Sequence, residues 1–431
     1  MVFVSIHLLH KMNIRNNPIM KSIFTLFFVL LISLHLSAQT VINDSVSIGA
    51  GYANQTFYSI AKGTVLSIDN TDWDLAFHTD NREVAIFINS KKDVKLYLAS
   101  NDTSKWNSLD TANRTTKQYH NSDSSWSFGA FNREAPAGGF DYGWGTYNAT
   151  THEIYASKIY FINYGVNLWK KIIISKHDAN YTYHFRYANL DGSNEISVVL
   201  KKSPYANKNF VYYSLTNNTI ITREPDFTTY DLIFHQFEQE IPYTYKVTGA
   251  QQNRNVKAKK VYPVSDVNAA TVGTTLLSKN ITSVGSDWKT FDPGTNKWTI
   301  EDSTVYFIQD VTGAKIWKLV FTGFGGSSNG KMYFNKTAYA SGINASSLTT
   351  LGIYPNPAHN NTTINFYIGC AQNVKMSVKD LTGKEVSSQE INSTAGFNAF
   401  ILNTSSIVSG TYFVTIQSLE GIATQKLIIN N

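Results

Sequence analysis

The chain has 431 residues, 42% hydrophobic and 16% charged, with 25 Tyr, 25 Phe and 8 Trp, which is ample material for a packed core and excludes a disordered tail. The net charge of +6 falls to +3 once the first 38 residues, which carry Lys11, Arg15 and Lys21 and no acid, are set aside, and this is too mild and scattered for nucleic-acid binding. A lone cysteine, Cys370, excludes an intramolecular disulfide and any CxxC metal or redox pair; at about 100 to 200 residues per domain the length predicts two or three domains.

From Met20 the chain reads "MKSIFTLFFVLLISLHLSAQT", with one Lys, an apolar run from Ile23 to Leu36, then small residues. This is the order of a secretory signal peptide, cleaved after Ala38, with residues 1–19 an upstream extension and Met12 or Met20 a candidate start. An N-terminal membrane anchor is the alternative, because Leu36 is not small. No other segment reaches the roughly 18 to 20 apolar residues that cross a bilayer. A mature chain without a transmembrane anchor, delivered through the general secretion machinery to the periplasm and beyond, is expected.

Between 40 and 345 the hydrophobic period is two. "REVAIFIN", "VKLYLAS", "SKIYFINYG", "WKKIIIS", "YTYHFRYAN" and "VYFIQD" alternate or run β-branched and aromatic residues between Asn, Asp, Gly and Ser clusters. Capped helical patterns are nearly absent, so the fold class is all-β, antiparallel sheets in a sandwich or open barrel. One phrase occurs twice, WDLAFH at Trp73–His78 and YDLIFH at Tyr230–His235, with the aspartates 157 residues apart (231 minus 74). Alternation puts Trp73, Leu75 and Phe77 on one face, read as core, and Asp74, Ala76 and His78 on the other; Tyr230, Leu232 and Phe234 oppose Asp231, Ile233 and His235 in the same way. Each copy follows a strand, turn, strand pattern, "FYSIAKGTVLSIDNTD" or "VYYSLTNNTIITREPDFTT". Downstream, Trp144, Tyr160-Phe161 and Trp169-Lys170 parallel Trp288, Tyr306-Phe307 and Trp317-Lys318. Two related β modules, 39–205 and 206–342, are predicted, then a linker over 343–350.

Catalytic signatures are missing. There is no HExxH, GxSxG, P-loop or dinucleotide fingerprint, and Asp72 and Asp74 sit in a turn where Asp serves the backbone. "DNTDWD" lacks the glycine and terminal glutamate of an EF-hand loop. A non-enzymatic protein is expected.

The segment "FYSIAKGTVLSIDNTDWDLAF" and the strands of "STVYFIQDVTGAKIWKLVFTGF" resemble the HmuY-like proteins of Bacteroidota, over roughly 50 to 340. That resemblance implies a mostly β, secreted or surface-held protein and, as possible cofactor, haem or a similar tetrapyrrole held by axial His or Met. The family's ligands map onto no local motif here. The candidates are His78 and His235, each at a strand end with an Asp nearby to orient it, and then His120, His152, His177 and His184. Met332 is the one mature Met before residue 376, which excludes a Met–Met pair. The alternative to haem is a surface adhesin or a glycan- or protein-binding module using the same aromatic faces.

The C-terminal end, "LGIYPNPAHNNTTINFYI", "VKMSVKDLTGKEVSSQEI", "FILNTSSIVSGTYFVTIQS" and "TQKLIIN", reads as a compact sheet domain over 351–431. Its Tyr354-Pro355-Asn356-Pro357, its Asp380 to Gly383 turn, Gly410 in "SGTYFV" and Lys426 in "KLII" stand in order, and together they resemble the type IX secretion C-terminal sorting domain, type A. The resemblance implies an Ig-like sandwich that engages the type IX translocon and the sorting and attachment machinery, and a secreted or cell-surface destination. An ordinary Ig-like adhesive module is the alternative. Cys370 is expected to be a buried small apolar residue within it.

Overall fold

The computed structural model describes residues 40–135, 139–240, 243–273, 277–339, 349–368, 372–394, 396–418 and 421–431. The signal peptide, Cys370 and linker residues 343–348 lie outside the described residues, and the C-terminal domain already begins a strand at Thr349–Tyr354. The chain is nearly all-β, as its alternation predicts. The apolar runs become strands, among them Lys95–Ser100, Ile159–Asn163, Trp169–His177, Thr182–Ala188 and Val305–Gln309. All named strand pairs are antiparallel.

The duplicated phrase lies at the centre of an exchange. The hairpin Asn54–Ser59/Gly63–Asp69, which precedes the first copy, pairs with the strand of the second copy, Leu232–Gln239. The hairpin Phe210–Ser214/Thr219–Ile221, which precedes the second copy, pairs with the strand of the first, Leu75–His78. Registers correspond: Tyr58 faces Leu232 as Tyr213 faces Leu75, and Thr56 faces Phe234 as Val211 faces Phe77. Asn89 donates its side-chain amide to the carbonyls of Asn70 and Trp73 at 2.8 and 2.9 Å, and Asn253 donates to those of Phe227 and Tyr230 at 2.6 and 2.7 Å. In each copy these acceptors are the phrase's first residue and the residue three before it.

Each sheet so formed packs on a larger one. The sheet holding Leu75–His78 covers the one built from Lys95–Ser100 and residues 145–201, and its core includes Leu75, Phe77, Trp144, Tyr160, Tyr183 and Phe185. The sheet holding Leu232–Gln239 covers the one built from Ile42–Ser47 and residues 257–339, around Tyr58, Phe234, Trp288, Tyr306, Phe321 and Phe334. Burying each Phe or Leu contributes about 1.5 to 3 kcal/mol, so shape-matched contacts such as Trp288 stacked on Phe321 at 3.9 Å anchor the second core. The boundary expected at 205/206 is therefore crossed in both directions: residues 54–69 complete the second sandwich and 210–221 complete the first.

Two further expectations are corrected. Trp73 and Tyr230 do not share the core face with Leu75 and Phe77 or with Leu232 and Phe234; they sit in clusters on the opposite face, with Ala76 and with Ile233. The strand proper begins only after each aspartate, because the Asp74 and Asp231 N–H groups donate to Tyr213 and Tyr58 carbonyls of the exchanged hairpins, which breaks the alternation one residue early. Likewise, Tyr160 faces Ile172 while Tyr306 faces Leu319, so Trp169 matches Ile316 rather than Trp317. A one-residue slip reverses the faces: Trp317 is buried and Trp169 half-buried.

Residues 349–431 form a separate β-sandwich of three and four strands around Ile364, Phe366, Val374, Met376, Val414 and Leu427.

Candidate functional site

The faces of the two central sheets that point away from their cores are apolar and meet each other. One presents Trp73, Ala76, Phe87, Phe210 and Tyr212, the other Phe57, Tyr230 and Ile233, and half-buried Trp126 packs against both. Trp126 rides on a segment held tightly in place. Its Nε1 donates to the Gln252 carbonyl at 2.8 Å, and Gly129 lies so close to strand Ile86–Ile88 that a Cβ there would stand 2.0 Å from the Ile86 oxygen.

A cleft runs into this junction. Trp73, Phe87, Trp126, Phe210 and Tyr212 form its apolar walls, and Gln55, His235 and Gln251 supply polar groups. Its cavity volume is about 60 Å³, and about 610 Å³ when the space open to solvent is counted. Gln55 is oriented from behind by Arg223, whose fully buried guanidinium also lies over the Tyr212 ring at 5.2 Å and pairs with Asp72 at 3.0 Å. Next to it, burial pushes the Glu224 carboxyl up to about 7 although it accepts the Tyr230 hydroxyl at 2.6 Å and the Phe210 N–H at 2.7 Å. Sequence reasoning missed Arg223, Glu224, Gln55 and Gln251. Their type carries no signal until the exchanged hairpin brings them between the sheets.

Both phrase histidines are buried at this junction rather than solvated. His235 lines the cleft and its Nε2 lies 2.8 Å from Gln251 Oε1, an acceptor, which places the proton on Nε2. Burial pushes its imidazole down to about 4. His78 Nδ1 accepts the Asp80 N–H at 3.1 Å, its ring meets Phe210 edge-on, and burial, with Arg254 and Lys202 adding positive charge, pushes it down to about 3. The aspartates do not orient these rings as expected; Asp74 and Asp231 bind backbone instead.

The other histidines are dispersed. His120 Nδ1 lies 3.2 Å from Glu238, whose carboxylate lines the cleft beside His235. His152 is exposed and meets the Tyr147 hydroxyl at 2.7 Å, and His184 pairs with Asp178 at 2.8 Å. His177 is buried against Tyr183, its Nε2 has no partner, and burial pushes it down to about 3.

The volume of the cleft that His235 lines does not fit a haem. Sites for ligands of drug size measure about 300 to 1,000 Å³, several times the cavity volume of the cleft. The groups that act on the His78 ring are Arg254, Lys202 and Asp80, and those that act on the His235 ring are Gln251 and Arg223.

In the C-terminal sandwich the motif residues act through the backbone. Asn356 behaves as an added strand residue: its Nδ2 donates to the Lys426 carbonyl at 2.9 Å and its Oδ1 accepts the Ile428 N–H at 2.8 Å. The Pro355 carbonyl accepts the Thr362 hydroxyl at 2.7 Å, while Tyr354 is 78% exposed and Lys426 points to solvent. Asp380 Oδ1 closes its turn by accepting the N–H groups of Thr382 and Lys384 at 2.9 and 3.0 Å, and Gly383 takes the left-handed φ of 85° that this turn requires. Gly410 opens the strand Gly410–Ser418, which pairs with the last strand.

Comparison with known proteins agrees with this geometry at one end of the chain. Residues 352–430 match the family described as secretion system C-terminal sorting domain. No curated protein matches the sequence. Among solved structures, dimeric latent PorU from Porphyromonas gingivalis is similar at 11% identity over 63% of this chain and 28% of the PorU chain, with a TM-score of 0.17. The match thus spans little more than a quarter of PorU's length, and at that TM-score it carries no argument about fold or function. The sorting domain marks the protein for export by the type IX route, to secretion or the cell surface. Among the described residues no helix is long and apolar enough to cross a membrane.

Proposed function

We propose that the protein is a non-enzymatic glycan-binding protein, carried across the outer membrane by its C-terminal sorting domain, with the cleft between the two central sheets as its binding site. The observation behind this reading is the lining: aromatic walls from Trp73, Phe87, Trp126, Phe210 and Tyr212 with amides from Gln55 and Gln251 between them. The half-buried Trp126 can match the C–H face of a sugar ring while the buried aromatic walls receive its substituents, and amides, which both donate and accept, match hydroxyl groups. Lys91 and Glu238 are the charged residues of the lining, and Glu238 is occupied by His120, which favours a neutral ligand.

Haem, the ligand implied by the HmuY-like resemblance, is less well supported because of the small cavity volume. The two are separated by one pair of titrations on the mature protein. Neutral oligosaccharides should quench or shift Trp126 emission, with the response lost in Trp126→Phe; a Soret shift with haemin and no response to any oligosaccharide would reverse the assignment.

A further inference from the structure

We infer that the cleft is a subsite for an acetamido group, so that the glycans selected are those containing N-acetylated amino sugars. This rests on the glycan reading above and narrows it. The cavity volume of the cleft is about 60 Å³. A dry apolar cavity of about 150 Å³ takes benzene, with six carbons. Less than half that volume takes two or three heavy atoms, so what enters is a small substituent of the ligand and not a ring.

The chemistry of the walls selects among such substituents. Ala76, Phe210 and Tyr212 line the cleft and are almost fully buried, and the methyl of Ala76 and the rings of the other two suit a methyl group. Gln251, in the same lining and 3% exposed, has its Oε1 committed to His235 at 2.8 Å. The amide nitrogen is then the end of Gln251 with hydrogen bonds to give, and it calls for an acceptor on the ligand. A methyl joined to a carbonyl is an acetyl group. A hydroxyl, the substituent at the same ring position in an unmodified hexose, would leave the apolar wall uncovered and the space unfilled. His235, kept neutral by burial, holds the Gln251 amide in this orientation, which makes it a positioning residue.

The experiment is a calorimetric titration of the mature full-length protein with the β-1,4-linked trimers of N-acetylglucosamine and of glucose. The acetylated trimer should bind at least tenfold more tightly. Two variants localise the preference: Ala76→Val, which fills the subsite, and Gln251→Met, which removes the donor while keeping the shape. Each should reduce the tenfold ratio toward one while circular dichroism stays unchanged. Equal affinity of the wild-type protein for the two trimers overturns the acetamido subsite and leaves glycan binding standing. Binding of neither trimer overturns both. A preference that both folded variants retain also overturns the subsite.

Discussion

Asp231 accepts the Ile60 N–H at 2.7 Å across 171 residues of chain, and Asp74 accepts the Leu215 N–H at 2.7 Å across 141. Each aspartate is the second residue of one copy of the repeated phrase and closes the end of the hairpin lent by the other copy. Their second oxygens are also used: Asp231 Oδ1 accepts the Val311 N–H and Asp74 Oδ1 the Lys92 ammonium, both at 2.7 Å. The aspartate recurs because the exchange needs two such clasps.

Asp231→Ala leaves the Ile60 and Val311 N–H groups without their acceptor. An unsatisfied buried donor costs about 1 to 3 kcal/mol, so the variant should lose roughly 2 to 5 kcal/mol in urea unfolding. A loss below about 0.5 kcal/mol would show that water replaces the carboxylate and that the clasp is dispensable.

The two central sheets share no strand, but their outer faces pack together through Trp126, so loosening one sandwich should loosen the other. Hydrogen exchange on Asp231→Ala, whose clasp serves the second sandwich, should therefore accelerate in Trp169–His177 of the first as well. Acceleration confined to residues 230–339 would mean that the sandwiches open independently.

The acid response should be carried in part by His177. Its folded form is neutral down to about pH 3, whereas the unfolded residue charges near 6.5. The unfolded state therefore binds the extra proton between these values, and stability present above pH 6.5 is lost as pH falls toward 3. Lys202, pushed down to about 7 by burial, adds a second rise in stability between pH 7 and 10.5, while Glu224, pushed up to about 7, opposes the trend between 4.5 and 7. Comparing His177→Phe with wild type isolates one group. The variant should be near-neutral or slightly more stable at pH 7, since it removes the unpartnered Nε2, and its advantage should grow by on the order of 3 kcal/mol by pH 4. A pH-independent difference would refute the buried neutral imidazole.

How much of this was legible in the sequence follows from the range of each interaction. Alternation is local, so strand positions such as Ile159–Asn163 and the burial of Leu75, Phe77, Leu232 and Phe234 could be read directly. The repeat also announced the paired hairpins. Which hairpin each strand pairs with is a long-range choice, and the nearest hairpin in sequence was the wrong partner in both copies. The same choice hid the face of Trp73 and Tyr230, because it is the borrowed hairpin that holds Asp74 and Asp231 and ends the alternation. The cleft was illegible for the same reason: Gln55, Trp126, Phe210 and Gln251 meet only through the exchange. In the C-terminal domain the motif residues act within turns and neighbouring strands of one small sandwich, which is why their order was informative.

Asn356 offers the most direct test of how the sorting motif works. Its side chain bonds the backbone of Lys426 and Ile428 on the last strand, and the neighbouring Ala358 N–H donates to the Ile428 carbonyl at 2.8 Å. Asn356→Ala leaves the Lys426 carbonyl and the Ile428 N–H to water, at a cost of about 0.5 to 1.5 kcal/mol for each exposed bond lost. Asn356→Asp keeps the acceptor for Ile428 and loses the donor to Lys426, so it should be intermediate. If export depends on a folded last strand, surface display measured by protease shaving of intact cells should follow the same order, wild type above Asn356→Asp above Asn356→Ala, with deletion of 349–431 leaving the protein in the periplasm. Full display of the deletion would refute the sorting role, and full display of a destabilised Asn356→Ala would show that the machinery reads the tail without needing that strand in place.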